Sequence, residues 1–205
     1  MRDAGGASNG GAILTVDHVA KSFGGVKAVT DVSLEVPRGS IFSVIGPNGA
    51  GKTSLVNMIS GFYKADQGSI KFEGTELIGR RPSQIAALGI ARTFQNIALF
   101  RGLTVLDNLM LGRHVRMKSG VLSCFLSWGA AQREEVEHRK RAEEIIDFLR
   151  ITELRRLNTG ELAYGLQKRV ELGRALALDP TLLLLDEPMA GMNQEEKEDM
   201  VRYVL

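Results

Sequence analysis

Gly46-Pro47-Asn48-Gly49-Ala50-Gly51-Lys52-Thr53 decides the reading of this 205-residue chain. The pattern Gly-x-x-x-x-Gly-Lys-Thr uses glycines so that successive backbone N–H groups can turn inward around phosphate oxygens. Lys52 brings a point charge for the β- and γ-phosphates, and Thr53 offers a hydroxyl to Mg²⁺. Ile41-Phe42-Ser43-Val44-Ile45 before the loop reads as a buried strand. Lys52 to Ile59 after it reads as a helix whose N-terminal end favours bound anions. A glycine-rich turn with no ligand is the alternative, but it does not call for a strand on one side and a helix on the other. The expectation is a nucleoside-triphosphate site built from Gly46, Pro47, Asn48, Gly49, Ala50, Gly51, Lys52, Thr53 and Ser54.

Length suits one domain, or one domain with a subdomain, large enough to bury a core. There are 26 basic and 24 acidic residues, a net charge of +2, so composition implies no nucleic-acid partner. The lone cysteine, Cys124, excludes an internal disulfide framework, fits a reducing compartment and reads as a small packed side chain. Met1 to Ala12 is glycine-rich, lacks the apolar run of a signal peptide and reads as a disordered tail. No stretch of ~18 apolar residues is present to span a bilayer, so work at a membrane would go through partners.

Ile13 to Val16 and Ala28 to Val36 read as strands around a Gly24-Gly25 turn, and Pro37-Arg38-Gly39 as a second turn. Gln67 to Gly74 and Ile90 to Phe94 are further short strands. Thr104 caps a helix running from Val105 towards Arg113. Gln132 to Arg150 is an amphipathic helix with Val136, Ala142, Ile145, Ile146 and Leu149 on its packed side, and the charge run Arg133 to Glu144 as a solvated face with i,i+4 pairs. A helical pattern starts at Glu161, and Thr181 to Leu185 is an apolar strand. Two kinds of strand around a helical insertion predict an α/β core with an antiparallel β layer and an α-helical subdomain.

Leu182-Leu183-Leu184-Leu185-Asp186-Glu187 supplies what a phosphate loop lacks alone. The strand delivers Asp186 to the magnesium shell, and Glu187 orients or polarises the attacking water. The alternative is a strand end whose acids cap the next helix, which Pro188 would also suit.

Between the two motifs lie Leu162-Ala163-Tyr164-Gly165-Leu166-Gln167 and the helix they open. With these residues in view the chain resembles the ATP-binding-cassette ATPases, a P-loop fold of RecA-like parallel-sheet core, antiparallel β layer and helical subdomain (about 96–175). The family's signature, Leu-Ser-Gly-Gly-Gln, is matched only at Leu162 and Gly165. Ala163 lacks the serine hydroxyl that meets the γ-phosphate held by the opposite subunit, which leaves that contact to backbone N–H groups. The Leu-Ala-Tyr-Gly form resembles the LivG-like group serving uptake of branched-chain and other hydrophobic amino acids. Arg92-Thr93-Phe94-Gln95, Leu99-Phe100-Arg101-Gly102-Leu103-Thr104-Val105, Asn108-Leu109 and Pro188-Met189-Ala190-Gly191-Met192-Asn193 look like the same group.

The resemblance implies ATP and Mg²⁺ as cofactors, with Thr53, Gln95 and Asp186 at the metal, and Lys52, Gln95 and Glu187 in catalysis. It implies Phe23 stacking on adenine, for which a core aromatic is the rival, and Leu162, Ala163, Tyr164 and Gly165 contacting nucleotide. Asn193 falls in a loop that faces the other subunit. The implied partners are transmembrane permease subunits, a second ATPase subunit (the same or different) and, indirectly, a periplasmic or extracellular solute-binding protein. The implied place is cytoplasmic, peripheral on the inner face of the plasma membrane. Val121 to Trp128 either docks a membrane subunit or packs on the helical subdomain. His18, His114 and His138 all precede Asp186, so none matches the family's switch histidine, and the chain reads as the N-terminal portion of a cassette. A cassette that binds ATP without efficient hydrolysis, or a soluble non-transport cassette, are the rival functions.

Overall fold

The structure, a computed structural model, describes residues 11–93, 97–114 and 128–205, with side chains in the last stretch from residue 132. The chain divides into two compact units, 1–85 and 86–205. Of the expected tail, all but Gly11 and Ala12 lies outside the described residues, and Ala12 already belongs to a strand.

In the first unit β1 (Ala12–Phe23), β2 (Val26–Pro37), β3 (Gln67–Phe72) and β4 (Thr75–Glu76) form an antiparallel sheet in the order β2-β1-β3-β4. Along β1 the residues Ile13, Leu14, Val16 and Val19 are buried, as are Ile70, Phe72 and Leu77 of the same unit. The register slips between Val16 and Val19, and His18 in that bulge is left-handed (φ 47°). Its Nδ1 meets Asp31 Oδ1 at 2.6 Å across the β1–β2 pair. The helix α1 (Lys52–Ile59) follows the phosphate loop and buries Leu55, Met58 and Ile59.

Ile41 to Ile45 departs from expectation. The segment forms no strand, and Ile41 and Ile45 are 68% and 92% exposed. An apolar run becomes a strand only when a neighbour takes its N–H and C=O groups, and no described residue of its own unit pairs with it.

Helix α2 (Pro82–Ala87) leads into the second unit, where β5 (Ile90–Arg92) pairs in parallel with β6 (Leu182–Leu184), Arg92 opposite Leu184. Around the pair stand α3 (Val105–Arg113), α4 (Trp128–Phe148), α5 (Tyr164–Leu176) and α6 (Gln194–Val204). Leu109, Ile146, Leu149, Val170, Leu172 and Met200 form their common core. Thr104 caps α3 as expected, accepting from Asp107 N at 3.1 Å. The wholly buried Asn108 donates to the carbonyls of Phe100, Leu103 and Thr104 and accepts from Phe100 N, fixing the loop before α3.

On α4 the packed stripe is His138, Ala142, Ile145, Ile146 and Leu149, and Val136 is 63% exposed. Two residues from His138 is about 200° around a helix, so Val136 belongs to the outer face. The charged run carries an i,i+4 contact, Glu134 Oε1 with His138 Nε2 at 3.7 Å, while Arg141 bonds Glu144 at 3.0 Å and reaches Asp179 at 2.9 Å. Buried Arg113 bonds His138 Nδ1, Asp179 and the carbonyl of Ala177, tying α3 to α4 and to the end of α5. The apolar segment 121–127, with Cys124, lies outside the described residues.

Candidate functional site

Gly49 and Gly51 sit at φ 81° and 83°, conformations a side chain resists, so the loop can curl its amides inward. Gly51 is the N-cap of α1; it supplies no side-chain hydrogen bond, and the first turn holds no acid. A helix start without either device is of the kind that receives an anion. Lys52 Nζ donates to the carbonyls of Gly46 at 2.7 Å and Pro47 at 2.9 Å. The ammonium thus lies along the loop whose amides would hold phosphate oxygens. Thr53 is exposed in the first turn of α1 and Ser54 is half-buried. The cradle fits a polyphosphate.

Phe23 ends β1 at 40% exposure, its ring edge-on to Tyr63 at 5.0 Å with Lys21 Nζ 5.4 Å from the ring centre. That is not a core aromatic. Tyr63 holds the ring while much of its surface stays open for stacking.

In the second unit Asp186 is buried two residues beyond β6 and meets Arg92 Nη2 at 3.1 Å through Oδ2. Glu187 is exposed and left-handed, φ 48°, in a turn closed by Ala190 N donating to its carbonyl at 3.1 Å. A non-glycine residue held there stores strain of about 1–3 kcal/mol, as functional residues often do. Asp186 presents a buried carboxylate that already faces a cation, an oxygen donor of the kind Mg²⁺ takes; in the first unit the Thr53 hydroxyl is another donor of that kind. Gln95 lies outside the described residues. Three positions on, Ala98 is gripped at both ends, its N–H by Glu171 Oε1 at 3.4 Å and its C=O by Arg174 Nη1 at 2.6 Å. Lys168 neutralises Glu171 at 3.1 Å, an ion pair buried within α5.

The signature residues open α5. Leu162 is buried, Ala163 is the N-cap without a side-chain bond, and Tyr164 is exposed. Gly165 is buried against α6: a Cβ there would stand 2.1 Å from Glu196 Oε1. Glu196 is itself fixed, because Asn193 and Glu196 form a reciprocal capping box at the start of α6. Asn193-x-x-Glu196 is a legible capping signal that the loop assignment of Asn193 passed over. Arg92 as the partner of Asp186 was missed as well, since 94 residues separate them.

An antiparallel β layer, a parallel strand pair and a helical part carrying these motifs make an ATP-binding cassette. The ABC transporter family model matches residues 29–190, and the chain belongs to that family and is an ATPase of its type. Among curated relatives, the high-affinity branched-chain amino acid transport ATP-binding protein LivG of Salmonella typhimurium is 40% identical over 188 residues, covering 92% of this chain and 74% of the relative. BraF of Pseudomonas aeruginosa, similarly described, is 38% identical over the same shares. A solved ATP-binding cassette of an ABC transporter, in its ADP conformation, is alike with a TM-score of 0.80 and 36% identity over 95% of this chain and 76% of that one. No helix among the described residues is long and apolar enough to cross a membrane.

Proposed function

We propose that this chain is the ATP-binding subunit of an importer of branched-chain or other hydrophobic amino acids, docked on permease subunits at the inner face of the plasma membrane. The observation that carries the ATP half is the curled phosphate loop, with Lys52 bonded along its carbonyls and no acidic residue in the first turn of the helix behind it. The solute half rests on relatives described as branched-chain amino acid transport proteins.

The loop amides and Lys52 grip the β- and γ-phosphates, and Phe23 stacks on the adenine. Glu187 accepts a proton from the attacking water, from a turn that is exposed to solvent. Thr53, Gln95 and Asp186 are the residues that would hold Mg²⁺, which when bound would neutralise charge on the phosphate oxygens. Phosphoryl transfer needs little beyond position and charge, so these groups account for most of the catalysis. A second ATPase subunit presents its own Leu162–Gly165 turn to the γ-phosphate, the amides at the start of α5 doing what Ala163 cannot.

The test is ATPase activity of the assembled transporter in nanodiscs. Addition of leucine-loaded solute-binding protein should raise the rate several-fold. A rate indifferent to every hydrophobic amino acid would refute the solute assignment and leave the nucleotide site standing.

A further inference from the structure

We propose that Arg92 is a built-in counter-ion that sets how strongly Asp186 takes a divalent cation, so that free Mg²⁺ does not load onto it before nucleotide arrives. The inference rests on the reading of Asp186 as a metal ligand. Arg92 closes β5 and Asp186 follows β6, and parallel pairing of these strands, with Thr93 N donating to Leu184 O at 3.0 Å, fixes both side chains on one strand end. Each side chain is only 7% exposed, and Nη2 stands 3.1 Å from Oδ2. A carboxylate in that setting requires a cation.

Guanidinium is permanently charged and cannot step aside by losing a proton. A bare divalent ion approaching Asp186 therefore meets a fixed positive charge. A cation arriving with a triphosphate brings compensating negative charge and feels little of this repulsion. Arg92 acts through Asp186, so it is a tuning residue and not a catalytic one.

The probe is Mn²⁺ alone, titrated without nucleotide and read by electron paramagnetic resonance. Arg92→Gln removes the charge and leaves a shorter amide donor at the position. It should bind Mn²⁺ at least tenfold more tightly than the parent, because even water-like screening would leave about that much repulsion between a +1 and a +2 charge ~7 Å apart. Arg92→Lys keeps the charge and should stay within about twofold of the parent. Arg92→Gln combined with Asp186→Asn should lose the gain. Circular dichroism establishes that each variant is folded, and if Arg92→Gln is not, Arg92→Met, which also removes the charge, carries the same comparison. Equal or weaker Mn²⁺ binding by folded Arg92→Gln, or by Arg92→Lys a gain as large as tenfold, overturns the proposal. Failure of the underlying reading shows separately: Asp186→Asn alone would then leave Mg²⁺-dependent ATP binding unchanged.

Discussion

Gly51 and Gly49 share one left-handed conformation but meet different surroundings, which makes the pair a test of how the phosphate loop is held. A Cβ on Gly49 meets nothing within 4 Å. A Cβ on Gly51 would stand 2.2 Å from the backbone oxygen of Ala28 and 3.1 Å from Val29 Cγ2, both on β2. Left-handed φ in a residue with a side chain costs about 1–2 kcal/mol. Gly49→Ala should lose that much stability and little more. Gly51→Ala must also push β2 away, and overpacking of this kind costs about 1–3 kcal/mol further. Its total is about 2–5 kcal/mol. Urea unfolding followed by far-ultraviolet circular dichroism measures both, and calorimetry with ATP separates fold from site. Gly49→Ala should weaken ATP binding with modest loss of stability, whereas Gly51→Ala should lose both. Equal destabilisation by the two substitutions would refute the contact between the loop and β2.

Lys52→Ala should weaken ATP binding at least tenfold, because the ammonium that bonds Gly46 and Pro47 carbonyls is the charge meant for phosphates; unchanged affinity by calorimetry removes the site assignment. Glu187→Gln should leave ATP affinity intact and cut turnover a hundredfold or so, on the scale of general-base loss, and a parent-like steady-state rate would show that Glu187 is not the base. Gly165→Ala should destabilise by about 1 kcal/mol through loss of the Asn193–Glu196 capping box, and by less in a Glu196→Ala background where the clash is gone; additive losses in the unfolding cycle would contradict that contact. Burial pushes the Asp179 carboxyl up, but Arg113 and Arg141 together hold it below its ordinary value of 3.8. The stability this brings is present above the unfolded value and disappears as pH falls through the folded one. The urea midpoints of the parent and Asp179→Asn should therefore converge between pH 5 and pH 2, and a constant gap would contradict the pairing.

Local signals were legible wherever the physics is local. The glycine spacing of 46–53, the helix behind it and the Thr104 cap depend on neighbours within a few residues, and the structure forms each of them. Ile41 to Ile45 was misread because its pattern states only that the segment is apolar; whether it becomes a strand depends on a pairing partner elsewhere. Val136 was assigned to the buried face by hydrophobicity alone, although its angle around α4 sets it opposite the stripe through His138. The long-range polar contacts near the candidate site are out of reach of any window. Arg92 with Asp186, and Arg174 with the carbonyl of Ala98, join residues that only the completed fold brings together.

The account's central claim is ATP-powered import, and uptake tests it most directly. Proteoliposomes carrying the assembled transporter, with Mg·ATP on the side of this subunit and binding protein on the other, should accumulate labelled leucine. Assemblies carrying Glu187→Gln should bind ATP as the parent does and accumulate almost none. Leucine uptake that proceeds equally with Glu187→Gln, or that needs no ATP, would contradict it.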